Sequence, residues 1–212
     1  MINFFSNWFN QSKNDNSLQS NKTMNSSLLN NILLKSQENR ELISIWQYNS
    51  DRSSFVGYVT EINEEYIGFR HYTRFGKPDG IVFIKVANIK TIDFNDDYTK
   101  VMECLIEYSS IIDQPSDFEI TLNHSGYWQF EAVKQLCNVK NQISSFEVNG
   151  SEYFTGFVID FSEEDFILHC VGKNGEDLGN AIFKVEDVTE VRVNDIDDRR
   201  RLLLFNWRKA SL

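Results

Sequence analysis

The residue types that most often perform catalysis or bind metals are few in this chain and are unfavourably spaced. The cysteines are Cys104, Cys137 and Cys170, and the histidines are His71, His124 and His169. No Cys-x-x-Cys pair occurs, and the histidines have no metal-ligand spacing to one another or to Cys170. We therefore expect no metal, no cofactor and no disulfide framework. The odd number of cysteines and the absence of a Cys-x-x-Cys pair favour a reducing, cytoplasmic setting. We also expect a bacterial protein.

Two pairs of adjacent glutamates, Glu64-Glu65 and Glu163-Glu164, are the repeated acidic feature. Neighbouring side chains on a strand point to opposite faces, so neither pair presents two carboxylates to one substrate. We expect both pairs at solvated hairpin turns. The sequence has no glycine-rich phosphate loop, nucleophile elbow or His-Glu-x-x-His motif. It therefore predicts a protein that is not an enzyme.

An aromatic and basic cluster is formed by Arg70 and the segment Tyr72-Thr73-Arg74-Phe75. Such a cluster can stack a nucleic-acid base, which makes Arg70, Tyr72 and Arg74 candidate contacts. The corresponding segment of the second half, Val171-Gly172-Lys173-Asn174, has no aromatic residue. Packing and solvation at a strand end is therefore the alternative that we favour. The net charge of −10 also disfavours general binding to phosphate backbones.

The N-terminal segment contains an aromatic stripe at helical spacing, formed by Phe4, Phe5, Trp8 and Phe9. Residues 10–27 are rich in Asn and Ser, which is typical of a linker. We expect that the stripe either packs on the protein's own surface or is partly disordered, and the alternative is that it docks on a protein partner or a membrane surface. Only Lys13 is nearby, so attraction to anionic lipid is weak. No apolar run approaches the ~20 residues that span a bilayer.

The elements that must position these residues are specified twice in the sequence. Gly57 in Phe55-Val56-Gly57-Tyr58-Val59 returns as Gly156 in Phe154-Thr155-Gly156-Phe157-Val158, an offset of 156 − 57 = 99 residues. The offset holds without a gap for about forty positions, which indicates a duplicated folding unit. A glycine inside a strand weakens it, so its return suggests a sharp bend or a close backbone approach.

Each unit is predicted to be a helix, five short strands and a second helix. We expect a tail at residues 1–25, a first unit at 26–108, a connector at 109–125 and a second unit at 126–212. Five short antiparallel strands favour closure into a small barrel, which removes most exposed edge. The predicted barrel core consists of Phe55, Val59, Ile67, Val86, Ile89, Phe154, Val158, Phe166, Val185 and Val188.

The last helix begins with the charged segment Asp195-Ile196-Asp197-Asp198-Arg199-Arg200-Arg201. Acids at a helix start and bases one turn later favour internal i,i+3 and i,i+4 pairs. We interpret this segment as a solvated helical face. The alternative is that Arg199, Arg200 and Arg201 meet an acidic patch on a partner or on the first unit.

The order of elements resembles the Sm-like fold, the family of the Sm, LSm and Hfq proteins. The similarity lies in the helix at Ser27-Leu28-Leu29-Asn30, the glycine in strand two and the short turn in Ile84-Lys85-Val86-Ala87-Asn88-Ile89. It implies a mainly β fold with flanking helices, made of two tandem five-stranded Sm-like or SH3-like barrels. It also implies that Lys85 and Lys184 match the family's basic position.

The functional expectation is a non-enzymatic interaction or scaffold protein that binds a protein partner or itself. Glu64-Glu65 and Glu163-Glu164 stand where family members place the Asp and Asn that hold a base. Carboxylates facing RNA phosphate are unfavourable. Two alternatives stay open: an Sm-like RNA-binding protein, and an acidic inhibitor or immunity-type protein that binds a basic partner.

Overall fold

A computed structural model describes residues 27–48, 54–115, 117–122, 127–150 and 152–210. It contains two five-stranded antiparallel sheets and four helices, so the fold is mainly β. The first sheet and its helices are α1 (Leu28–Asn39), β1 (Ile43–Gln47), β2 (Phe55–Ile62), β3 (Tyr66–Tyr72), β4 (Pro78–Lys85), β5 (Ile89–Phe94) and α2 (Asp97–Ile112). The Ser27 hydroxyl caps α1 by accepting from the Asn30 N–H, and the Asp96 carboxylate caps α2 through the Thr99 N–H.

The second sheet repeats this order of elements along the chain. Its members are α3 (Trp128–Cys137), β6 (Ser144–Val148), β7 (Glu152–Phe161), β8 (Asp165–Val171), β9 (Asp177–Lys184), β10 (Val188–Val193) and α4 (Ile196–Ala210). The spatial orders are β4-β3-β2-β1-β5 and β9-β8-β7-β6-β10. The predicted strands are therefore present, and β4 and β9 start earlier than expected, each including a glycine at positive φ, Gly80 or Gly179.

Strand pairing leaves both sheets open, which differs from the expected closed barrels. β4 and β5 are the two edges of the first sheet, although only a one-turn 3₁₀ helix, Val86–Asn88, separates them in the chain. Five flat strands would hold their outer strands about 19 Å apart, whereas four residues span at most about 14 Å. The sheet must therefore curl strongly. The sheet does not close because β5 pairs with β1, with Gln47 opposite Ile89, and does not pair with β4.

Gly57 and Gly156 lie where two strand backbones approach each other closely. A Cβ atom on Gly57 would lie 1.8 Å from the carbonyl oxygen of Arg70, and one on Gly156 would lie 2.0 Å from that of His169. No side chain fits at such distances. The close backbone approach predicted from the repeated glycine is confirmed.

Each sheet encloses an apolar core under its N-terminal helix. The predicted core residues are buried at Val59, Ile67, Ile89, Val158, Phe166, Val185 and Val188, whereas Phe55, Val86 and Phe154 are half-buried and pack against the same clusters. The α1 helix is fixed over β2 by Ser36, whose hydroxyl accepts from the Val59 N–H at 3.1 Å. This bond orients α1, because Ser36 is itself fully buried.

The helices α2 and α4 pack against each other and connect the two sheets. Leu204 of α4 is fully buried in a cluster with Val101, Met102 and Leu105 of α2. The next residue, Phe205, belongs to a different cluster with Ile143 and Val171 of the second unit. Consecutive residues of one helix therefore contribute to the cores of both halves. The α2 helix also continues to Ile112, past the predicted unit boundary at residue 108.

Candidate interaction surfaces

The edge strands β4 and β9 present a large apolar side chain to solvent at equivalent positions. Phe83 is 66% exposed and Ile182 is 67% exposed, and the two residues are related by the 99-residue offset. Among the described strands, none pairs with the outer edge of β4 or β9. Unpaired backbone groups beside an exposed apolar side chain form a template for an added strand.

The straight part of each edge is short, because both strands bend at a glycine. Gly80 has φ +86° and Gly179 has φ +76°, and the register to the neighbouring strand shifts close to both. The pairing segments are therefore 81–85 and 180–184. On the first of them, the ring of Phe83 packs edge-on against Tyr66 of β3 at 5.6 Å between centroids. This contact holds the Phe83 ring in place on the outer face.

An acidic cleft of 560 Å³ lies beside the turn that joins β7 to β8. It is lined by Tyr127, Phe130, Glu163, Glu164, Asp165, Lys184 and Glu186. Four of these side chains are carboxylates, and the single lysine lies 3.6 Å from Glu186. Two aromatic rings with surplus negative charge suit a basic side chain. The Glu163-Glu164 pair is exposed at the hairpin turn, as predicted, and Glu64-Glu65 is exposed at the turn between β2 and β3.

The five residues predicted as nucleic-acid contacts occupy different environments. Lys85 is exposed at the end of β4, opposite Tyr66, and Lys184 lies in the acidic cleft. Arg70 is exposed on β3, whereas Tyr72 is only 8% exposed and packs edge-on against Tyr58 at 5.8 Å. Arg74 donates to Asp197 at 2.9 Å and lies over the ring of Phe75.

The structure therefore does not bring Arg70, Tyr72 and Arg74 together as one exposed group. The ring of Tyr72 is part of a core cluster with Leu42 and Val56. The candidate docking residues of the N-terminal stripe, Phe4, Phe5, Trp8 and Phe9, lie outside the described residues.

Two charged residues near the start of α4 are buried, so the interpretation of this segment as a solvated helical face is wrong at those positions. Asp198 is 1% exposed and Arg200 is 7% exposed. The Arg200 guanidinium donates to the carbonyl oxygens of Arg74 at 3.0 Å and of Lys173 at 2.5 Å. The Arg199 guanidinium donates to the carbonyl oxygen of Ile112 at 2.6 Å. Arg199 and Arg200 thus bind backbone carbonyl oxygens on both sides of α4, including that of Arg74 in the first unit, whereas the alternative prediction was an acidic patch.

The cysteine thiols are poor nucleophiles in this fold. Burial raises the pKa of Cys104 to about 11, with a smaller contribution from Glu107. Burial also raises the pKa of Cys137 and that of Cys170. All three thiols are therefore protonated near neutral pH. Within the described ranges, no group of three or more His, Cys, Asp or Glu residues could hold a metal ion.

The described helices include none that is long and apolar enough to cross a membrane. Comparisons with protein-family models, with curated proteins and with solved structures found no match to this chain.

The exposed apolar residue on each edge strand was not predicted from the sequence. In the first unit, the signal was the continuous apolar run Ile81-Val82-Phe83-Ile84. Alternating residues of a strand point to opposite faces, so one half of this run must leave the core. Val82 and Ile84 face inward, which leaves Phe83 exposed. The burial of Asp198 and Arg200 had no such local signal.

Proposed function

We propose that this chain is a non-enzymatic protein-interaction module built from two duplicated Sm-like units, each an open five-stranded sheet, and that it binds protein partners by strand addition at β4 and β9. The observation that supports this function is that Phe83 and Ile182 are exposed at equivalent positions of two edge strands whose outer sides are unpaired. Main-chain hydrogen bonds supply affinity in strand addition, and the side chains beside the edge supply selectivity.

The Sm-like identity rests on the strand order, on the short turn between β4 and β5, and on the glycine inside β2. Both curled sheets share these features. We infer the duplication from the 99-residue offset together with the matching topology.

The acidic cleft supports a second candidate function, the binding of a basic partner. Its four carboxylates and two aromatic rings would favour a lysine- or arginine-rich segment. The RNA-binding alternative has less support, because Lys184 is close to Glu186 and the net charge is −10.

Affinity capture from native lysate, with nuclease treatment, tests the proposed function. We expect the full chain to retain protein partners after nuclease, and the double variant Phe83→Lys, Ile182→Lys to lose them by at least about tenfold, as for a central interface residue. The matched control is Ile159→Lys, because Ile159 is 48% exposed on β7, a strand paired on both sides.

Each other outcome favours a different function. Partners that disappear on nuclease treatment would support RNA binding instead. Partners that survive Phe83→Lys, Ile182→Lys but are lost with Glu163→Lys, Glu164→Lys would assign binding to the acidic cleft and contradict strand addition.

A further inference from the structure

An apolar groove of 840 Å³ runs between α1 and the edge strand β5. Its walls include Leu28, Leu29 and Ile32 from the helix and Ile89, Ile92 and Phe94 from the strand. Leu28 is 85% exposed and Phe94 is 43% exposed. The described part of the chain leaves this groove uncovered.

The second unit covers the same region with an extended segment of its own chain. Residues 117–122 precede α3, and Phe118 and Ile120 pack against the core cluster that includes Val133 and Leu136 of α3, as do Val191 and Val193 of β10. The side-chain amide of Gln135 on α3 makes two hydrogen bonds to the backbone of Thr121. It accepts from the Thr121 N–H at 3.0 Å and donates to the Thr121 carbonyl oxygen at 2.8 Å.

The two helices correspond at an offset of 100 residues, because their buried positions match. Leu33 and Val133 are fully buried, and both helices bury the residue three positions later. Gln135 therefore corresponds to Lys35, which lines the open groove. By the same offset Trp128 corresponds to Leu28. Trp128 is half-buried in the covered unit, whereas Leu28 is almost fully exposed.

The covering segment has a simple chemical pattern. Its sequence Asp117-Phe118-Glu119-Ile120 alternates acidic and apolar residues. Phe118 and Ile120 are half-buried, while Asp117 and Glu119 are exposed, as expected for an extended chain with one face on the protein.

The open groove could accept a segment with the same alternation of acidic and apolar residues, because its lining contains both apolar side chains and lysines. Lys35 on the helix and Lys90 on the strand line its two walls, and Glu38 is the acidic residue among its lining side chains. The groove is thus locally basic on a protein of net charge −10. Lys35 would donate to a carboxylate or to a backbone carbonyl where Gln135 binds Thr121 in the second unit.

We propose that the groove between α1 and β5 binds an extended peptide of a protein partner, with apolar residues at alternate positions and acidic residues between them. The apolar side chains fill the space beside Leu28, Ile32 and Phe94, and the acidic ones meet Lys35 and Lys90. This site is separate from the edges of β4 and β9, so it does not depend on the function proposed above.

A fluorescent synthetic peptide with the sequence of residues 113–124, carrying a photoreactive benzophenone in place of Ile120, tests the proposal on the full chain. We expect saturable binding, with cross-links in α1 and β5. The variants Leu28→Asp and Lys35→Glu, Lys90→Glu should each weaken binding by about tenfold or more, as for interface residues near the centre of contact. Leu28 is exposed enough for its replacement to leave the fold intact.

Two controls make the result specific to the groove. Lys100→Glu makes the same charge exchange on the exposed face of α2 and should not change the affinity. A peptide in which Asp117 and Glu119 are replaced by lysine should bind the groove at least about tenfold more weakly, because its lysines would then meet Lys35 and Lys90.

Several outcomes would overturn the proposal. Cross-links in α3 and β10 would mean that the peptide replaces the chain's own segment, and cross-links in β4 or β9 would place it on the edges. Binding that appears only when Phe4, Phe5, Trp8 and Phe9 are replaced by serine would identify the N-terminal segment as the occupant. Dimers that form without the peptide and are disrupted by Leu28→Asp would identify a second copy of this chain as the occupant of the groove.

Discussion

Asp198 is an unusual residue, because its carboxyl group is buried with incomplete hydrogen bonding. Its Oδ1 accepts from the Ser145 hydroxyl at 2.7 Å, while its Oδ2 has no hydrogen-bond partner among the described residues. Burial raises the pKa of Asp198 to about 7, and the nearby Asp195 acts in the same direction. The hydrogen bond from Ser145 and the charge of Arg201 lower it, but they do not offset the burial.

The raised pKa predicts that Asp198 destabilises the fold as pH increases. The folded protein holds the proton up to about pH 7, whereas the unfolded chain releases it near the ordinary value of 3.8. The folded state therefore binds more protons between these values, and the contribution of Asp198 to stability falls as pH rises through that window. Above pH 7 the penalty is complete.

Asp198→Asn should consequently raise the free energy of unfolding at pH 8 and flatten its decline between pH 4 and pH 7. Urea unfolding at a series of pH values measures both effects. Asp113→Asn is the control, because Asp113 is 57% exposed in a surface ion pair with Lys77 and such pairs contribute only about 0–1 kcal/mol. A variant that is less stable than the parent protein at pH 8 would contradict the assignment.

At the scale of elements, α4 is held in place by arginine side chains that bind backbone carbonyls of two different turns. Arg200 donates to Arg74, just after β3, and to Lys173, just after β8. Each turn also approaches a helix at a glycine of positive φ. A Cβ atom on Gly76 would lie 2.2 Å from the Leu105 carbonyl oxygen, and one on Gly175 would lie 2.5 Å from the Leu204 carbonyl carbon. The equivalent turns of the two sheets thus fix α2 and α4.

Arg200→Lys should destabilise the protein by about 2–4 kcal/mol, because a single ammonium cannot reach two carbonyl oxygens in the fork geometry of a guanidinium and leaves buried acceptors unsatisfied. Burial lowers the pKa of Arg200, which reflects the cost of placing this charge inside the fold, and the bonds to the two carbonyl oxygens offset that cost. Chemical denaturation measures the change. Arg192→Lys, at an exposed pair with Glu190, should have a much smaller effect on stability, because both partners stay hydrated. Equal losses in the two variants would refute the role of Arg200.

At the scale of the whole molecule, the two sheets are joined through α2 and α4 rather than through strand pairing. Leu204 lies in a core with residues of the first unit, and Phe205 lies in a core with residues of the second. The Arg208 guanidinium adds a bond to Asp97 at 2.6 Å and one to the Asn174 carbonyl oxygen at 2.8 Å. In the described residues, the cores of the first and second units therefore meet at the pair of helices α2 and α4.

We expect both sheets to unfold in one cooperative transition. Leu204→Ala should reduce the free energy of unfolding by about 2–5 kcal/mol, the range for truncation of a buried leucine, and should shift the signals of both sheets together. Trp46 of β1 and Trp128 of α3 report on the two halves, in single-tryptophan versions of the full chain. Separate midpoints for the two reporters would show that the halves unfold independently.

The sequence by itself determined the strands, the helices and the shared strand order, because these depend on patterns within a few residues. Alternation of apolar residues defined the strands, and the repeated Gly57 and Gly156 correctly indicated a close backbone approach. Much of the core followed from the same alternation, including Val59, Ile67 and Phe166.

The tertiary structure alone decided which surfaces stay open. Closure of each sheet into a barrel requires β4 to pair with β5, and this depends on the direction in which the turn between them sends β5. Composition and periodicity carry no information about that direction. The candidate surfaces likewise depend on contacts between distant residues. Arg200 and Arg74 are 126 residues apart in the chain. The burial of a side chain depends on what packs around it, which the local sequence does not show. The charged segment at the start of α4 therefore looked solvated in the sequence, whereas its Arg200 is buried and connects turns of the two sheets.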